Sequence, residues 1–257
     1  HSQKLDRRLP HPATLRPQFG WVPTDRIRDT LKKTTQFFRA TIHYPFRHHF
    51  KTRFPAANVQ RLNEWVATDT IMCDTPAHDD GVPSHGGATM FQLFCGVSSH
   101  FLAGHPISSE SQIPKTFEDF IRSVGAPIGL KSDNAKAERS QHIFDLLRMY
   151  MIRDKTSEPH YQHQNPVERH VQNVKHVSNN IMDRVGCPAK FWLLCFLYVV
   201  SLLNVLVNVN GEIPRTVVTG EVTDVSPFLT FHFWQEVFVA SAEGGKEELA
   251  RWCYPAH

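Results

Sequence analysis

Between Glu64 and Val209 the apolar pattern changes period again and again, and this constrains the fold more than any other feature of the chain. Glu64–Ile71 (EWVATDTI) alternates as a half-buried strand does. Thr89–Val97 and His100–Ile107 are apolar stretches split by Ser98-Ser99, a hairpin pattern. In 112–123, Ile113, Phe117, Phe120 and Ile121 recur at helical spacing. Pro127–Lys131 reads as a short strand. Lys136–Arg148 reads as a helix with Ile143, Leu146 and Leu147 inward, and Met149–Ile152 as another short strand. Helices over 165–185 and 189–208 complete the series. Three strands, then helix, strand, helix, strand and two helices make a mixed α/β sheet and exclude a helical bundle or a repeat.

The run Phe191–Val209 is apolar enough to raise the question of a membrane span. Ser201, Asn204 and Asn208 fall three and four residues apart on one helical face, behind a helix-entry signal at Gly186-Cys187-Pro188. No basic cluster follows. The pattern therefore predicts a core helix, and no membrane partner.

Charge is unevenly shared. Residues 1–60 hold 12 Lys or Arg against 3 Asp, so +9 of the net +3 lies there and the rest of the chain carries 3 − 9 = −6. A basic arm on a mildly acidic body suits nucleic-acid contact by the arm. Residues 1–20 read as an irregular leader. Ile27, Leu31, Thr34 and Phe38 then mark a helix behind Pro23-Thr24-Asp25, and the basic-aromatic stretch 42–55 reads as a linker lying along a polyanion. His43, His48 and His49 in that linker have no second ligand pair at metal-binding spacing. Beyond Gly220, Phe231–Val239 is strand-like, the start of a small β module. The expected division is an arm at 1–60, a core at 61–220 and a short C-terminal β segment at 221–257. Cys73, Cys95, Cys187, Cys195 and Cys253 are odd in number and form no CxxC pair, which argues against a disulfide framework and for a reducing, intracellular setting. A chain opening on His1 is expected to be a piece of a longer polypeptide.

Three acids stand out. Asp69 lies within the first strand, where a buried carboxylate needs a cation or a donor. Asp133 follows the apolar Ile128-Gly129-Leu130 in Lys131-Ser132-Asp133-Asn134, at a strand end, where α/β sheets gather their ligands. Glu168 opens a long helix. Each also has a structural reading. Asp133 can cap the helix that follows it. Glu168 can complete a capping-box variant with Asn165 at the cap and Pro166 at the first helical position. Asp74 rivals Asp69 but begins the loop, while His78, Asp79, Asp80 and His85 read as a solvated hairpin.

Together, Trp65-Val-Ala-Thr-Asp69-Thr, Lys131-Ser-Asp133-Asn134 and Gln164-Asn165-Pro-Val-Glu168-Arg169 resemble the retroviral-type integrase core of copia-like long-terminal-repeat retrotransposons. The resemblance runs from about Trp65 to Gly220 and continues through Trp192, Asn204, Pro214 and Gly220. Asp133 and Glu168 are 168 − 133 = 35 positions apart, close to the family's spacing. It implies an RNase H-like α/β fold: a mixed five-stranded sheet flanked by helices, here with a basic N-terminal helical arm and a short C-terminal β segment. In that fold the first and fourth strands lie side by side. The resemblance further implies a catalytic and metal-binding trio of Asp69, Asp133 and Glu168 that holds two Mg²⁺ or Mn²⁺ ions. The implied reaction is 3′-end processing and strand transfer on double-stranded DNA, by a homo-oligomer acting in the nucleus. Lys175, seven residues after Glu168, carries over as a contact to the element's DNA end, with Arg169 and Lys131 as further phosphate-binding candidates. Two positions depart from the family, since Ala135 and Pro166 stand where it has glycine. Its N-terminal zinc module is not carried over, because residues 1–60 contain no Cys. A catalytically inactive DNA-binding relic is the alternative. An RNase H-type nuclease is disfavoured by the Gln-Asn-x-x-Glu-Arg context.

Overall fold

The computed structural model describes residues 10–36, 53–74, 87–132, 140–156, 166–240 and 247–253. Its centre is a sheet of β1 (Trp65–Met72), β2 (Met90–Gly96), β3 (Leu102–Ile107), β4 (Gly129–Ser132) and β5 (Arg153–Thr156), in the order β3-β2-β1-β4-β5. The β1–β2 and β2–β3 pairs are antiparallel, whereas β1–β4 and β4–β5 are parallel. The fold is thus the mixed five-stranded sheet expected, with β1 central and β4 directly beside it. Parallel neighbours need crossovers. These come from α2 (Ile113–Ser123), between β3 and β4, and α3 (Gln141–Met149), between β4 and β5.

Side-chain alternation along the strands divides the interior in two. Val66, Phe94 and Leu130 face α2 and α3, joining Phe117, Phe120, Ile143 and Leu147 in one core. Ala67, Ile71, Phe91, Leu93 and Cys95 face the other way, against α4 (Pro166–Val185) and α5 (Trp192–Val205). At β4 the two strands meet closely. A Cβ on Gly129 would lie 2.2 Å from the Trp65 ring, so only glycine fits opposite that residue.

The apolar run at 191–209 is resolved as a core helix. All of Trp192, Leu193, Cys195, Phe196, Tyr198 and Val199 are buried, and no helix among the described residues is long and apolar enough to cross a membrane. It is shorter than its sequence suggests, because Ala189–Phe191 is a 3₁₀ turn and α5 ends at Val205. Asn204 is buried, and its amide bonds the backbone of Leu102: Oδ1 accepts from the N–H at 2.8 Å and Nδ2 donates to the carbonyl at 2.7 Å. The outer edge of β3 is closed in this way by a side chain that imitates a neighbouring strand.

Two expected strands are corrected. Met149 closes α3 rather than opening a strand, Met151 turns the chain at φ 52°, and the strand lies four residues later at Arg153–Thr156. Its sequence, Arg-Asp-Lys-Thr, carries the charge of a sheet edge and lacks an apolar signature. Arg61 fixes this turn by donating to the carbonyls of Tyr150, Pro127 and Met151. The strand expected over Phe231–Val239 shrinks to β6 (Glu236–Val239), because Trp234 adopts a left-handed φ of 65°. β6 pairs antiparallel with β7 (Glu248–Arg251) as a two-stranded unit.

From residue 10, where description begins, the leader is irregular, as expected, yet it is anchored. Leu15, Phe19 and Val22 are buried in the core that holds α4 and α5, and Tyr198 donates to the Gln18 carbonyl at 2.5 Å. A side chain such as that of Phe19, fully buried, stabilises by about 2–3 kcal/mol. The helix expected behind Pro23 is α1 (Thr24–Lys33), which begins without a side-chain cap. Every Lys or Arg in 10–36 already has a partner. Arg16, Arg26 and Lys33 donate to the carbonyls of Trp21, Val207 and Gly211, while Arg28 and Lys32 pair with Asp25 and Asp29. The remaining arm cations, Arg53 excepted, lie outside the described residues, as do His43, His48 and His49.

Candidate active site

Asp69 is the fifth residue of β1 and lies opposite Leu93 of β2. It alternates in phase with Ala67 and Ile71, so its side chain belongs to the sheet face covered by α4 and α5. Half-buried, its Oδ1 accepts the Thr70 N–H at 2.8 Å. On the opposite face, Thr70 Oγ1 donates to Gln92 Oε1 at 2.5 Å, and Gln92 Nε2 donates to Thr68 Oγ1 at 2.5 Å. This buried amide braces the backbone that presents Asp69. Asp74, the rival acid, is exposed and follows the end of β1. A further acid, Glu64, is occupied structurally: its carboxylate accepts from the N–H groups of Ser98 and Ser99 and from Ser99 Oγ, at 3.0, 2.9 and 2.7 Å.

Glu168 lies in the first turn of α4, half-buried, beside the fully buried Val167. Val167, Val171 and Val174 form the stripe that α4 lays on β1 and β2. The helix therefore covers the face that carries Asp69. Lys175, exposed on the same helix, reaches the far end of β1 electrostatically. Burial lifts the Cys73 thiol to about 11, the Lys175 ammonium opposes that rise, and Asp74 reinforces it. Arg169 is exposed. Lys131 is half-buried on β4 opposite Ala67, and so shares the sheet face of Asp69.

Asp133 lies outside the described residues, as do Asn134, Ala135, Asn165 and the loop residues His78, Asp79, Asp80 and His85. Among the described residues, no group of three or more His, Cys, Asp or Glu is placed to hold a metal ion. What the fold brings to one side of the sheet is Asp69 on β1, Glu168 and Lys175 on α4, and Lys131 on β4. The donors in that set, two carboxylates, are hard oxygen ligands of the kind Mg²⁺ and Mn²⁺ take.

Sequence reasoning passed over a histidine pair. His100, in the β2–β3 turn, and His170, two residues after Glu168, approach within 3.1 Å, Nδ1 to Nε2. Burial first, then the His100 ring and the Arg169 guanidinium, lower His170 to about 4, so its imidazole is neutral at pH 7. They stand 70 positions apart, so no local motif links the two.

No protein-family model matches this chain, and no curated protein does. Among solved structures, it is similar to the HTLV-2 integrase catalytic core domain in complex with magnesium. The trimeric form is 18% identical with a TM-score of 0.46, covering 61% of this chain and 96% of that one. The dimeric form gives 17% and 0.47, over 60% and 95%. The simian T-cell lymphotropic virus intasome in complex with PP2A regulatory subunit B56 gamma gives 13% and 0.47, over 76% of this chain and 72% of that one.

Proposed function

We propose that this chain is the core of a retroviral-type integrase of a copia-like retroelement, a metal-dependent enzyme that trims DNA 3′ ends and joins them to target DNA. The observation that carries the proposal is the shared side of the sheet. Asp69 points from the central strand to the face that α4 covers, and Glu168 sits in the first turn of that helix. β4 lies beside β1 in parallel, and Asp133, which follows the last residue of β4 in the sequence, is the third acid of this reading.

In this reading Asp69, Asp133 and Glu168 hold two Mg²⁺ or Mn²⁺ ions. Bound there, such ions supply Lewis-acid activation of a water or 3′-hydroxyl and stabilise the leaving oxygen of an in-line displacement. The protein's own part is positioning. The Thr68–Gln92–Thr70 ladder keeps the β1 backbone fixed, and the valine stripe of α4 holds Glu168 over it. Lys175, Arg169 and Lys131 bind phosphates along the same side, and the basic residues of 1–60 extend that contact to double-stranded DNA. Assembly as a homo-oligomer and action in the nucleus belong to the same proposal.

The test is a strand-transfer assay with duplex oligonucleotides in Mg²⁺ or Mn²⁺. The unaltered chain should nick and join DNA. Asp69→Asn, Asp133→Asn and Glu168→Gln should each abolish both steps while leaving DNA binding intact. DNA binding without joining in all four proteins would return the chain to the inactive relic. Undiminished joining by Asp69→Asn would remove the site assignment altogether.

A further inference from the structure

The described residues hold a second cluster of possible metal ligands, on different side chains and with a different donor chemistry. His100 Nδ1 and His170 Nε2 stand 3.1 Å apart, with ring centroids 5.2 Å apart and planes tilted by 42°. In the metal-free pair one nitrogen carries the proton and the other accepts it. Moving that proton to the far nitrogen of its own ring turns both facing atoms into lone-pair donors, with no net change in protonation. An ion at the usual imidazole–metal distance of about 2.05 Å from both nitrogens would subtend about 98° between them. That angle lies between those of octahedral and tetrahedral coordination.

Two further features suit the pair to this use. Asn210 Nδ2 lies 3.3 Å from His100 Nε2. Turning that amide over by 180° would bring its oxygen to the ring, where it would accept the Nε2 proton and leave His100 Nδ1 as the donor, the outer contact that ligating histidines generally make. His100 also occupies a left-handed backbone position, φ 59°, which glycine would fill at lower cost. A strained position given to a large ring points to a role for that ring.

We propose that His100 and His170 form a bidentate site for a borderline transition-metal ion such as Zn²⁺, with water completing the coordination, clamping the β2–β3 turn to α4. The site does not draw on Asp69, Asp133 or Glu168, and its imidazole donors discriminate against Mg²⁺. It stands or falls apart from the proposed catalysis.

The test uses the full chain, stripped of metal by a chelator and titrated calorimetrically with Zn²⁺, first alone and then in the presence of Mg²⁺. His100→Asn keeps a residue suited to the left-handed turn, and His170→Gln keeps a helical one. Each should weaken a Zn²⁺-binding step of the unaltered chain at least about tenfold, a loss that even an outer contact at a metal can cause. Asp69→Asn should leave that step unchanged, and Mg²⁺ should not compete for it. Absence of Zn²⁺ binding, binding indifferent to both histidine variants, or binding lost in Asp69→Asn would each overturn the assignment.

Discussion

Replacing Asn204 by leucine tests how α5 is joined to the sheet. The substitution keeps the size of the side chain and removes its two polar atoms. Both backbone groups of Leu102 then lose their partner, the N–H at 2.8 Å and the carbonyl at 2.7 Å, in a place where Asn204 is only 7% exposed. A buried polar group left unsatisfied costs about 1–3 kcal/mol, so two give roughly 2–6 kcal/mol. The extra apolar surface of leucine offsets part of this, leaving a loss of about 3 kcal/mol. For a chain of this size that corresponds to a fall in Tm of about 6–12 °C by circular dichroism or fluorescence melting. Asn204→Asp sharpens the test. Its carboxylate still accepts from the Leu102 N–H but opposes the Leu102 carbonyl, so it should be at least as damaging at pH 7 and recover in part when protonated in acid. A fall in Tm below about 2 °C for the leucine variant would refute the view that this amide closes the β3 edge.

Three other outcomes are expected. Gly129→Ala should destabilise the fold by about 1–3 kcal/mol in urea unfolding, because the new methyl would overlap the Trp65 ring. His105 is lowered from its ordinary 6.5 by burial, an effect Asp119 partly opposes, and its buried Nε2 has no hydrogen-bond partner among the described residues. Below pH 6.5 the unfolded chain therefore binds a proton that the folded chain refuses. Stability should fall as pH drops through that range, and His105→Phe should flatten the slope measured by denaturant titration. Lys175→Ala should weaken DNA binding evenly across sequences and reduce the salt slope by about 1 in fluorescence anisotropy, without changing Tm.

The sequence was most legible where burial imposed a period. β1, α2 and α4 fall close to where the sequence puts them, since each has one face fixed by the core. β5 escaped because an edge strand of Arg-Asp-Lys-Thr has no apolar face, and its position follows from pairing with β4. Asn204 was readable as a polar residue on a helix that needed satisfying. Its partner was not, being 102 residues away. The same distance problem hid His100 and His170. Proline, arginine and polar residues made residues 1–20 look like an irregular leader, although Leu15 and Phe19, with Val22 just beyond, carry apolar area that α4 and α5 cover. Of the candidate acids, Asp69 owes its position to strand alternation. Glu168 owes its position to Val167, Val171 and Val174 on the same helix.

That docked segment sets an order of events for folding. Gln18 and Tyr198, joined by a hydrogen bond, are 180 residues apart, so the ribosome releases the first long before the second exists. Until α5 emerges, Leu15 and Phe19 have no permanent shelter, and closing so long a loop is slow. This segment of the nascent chain thus stays sticky while the residues up to α5 are being made. Holding it apart from other chains during that interval is work for a chaperone.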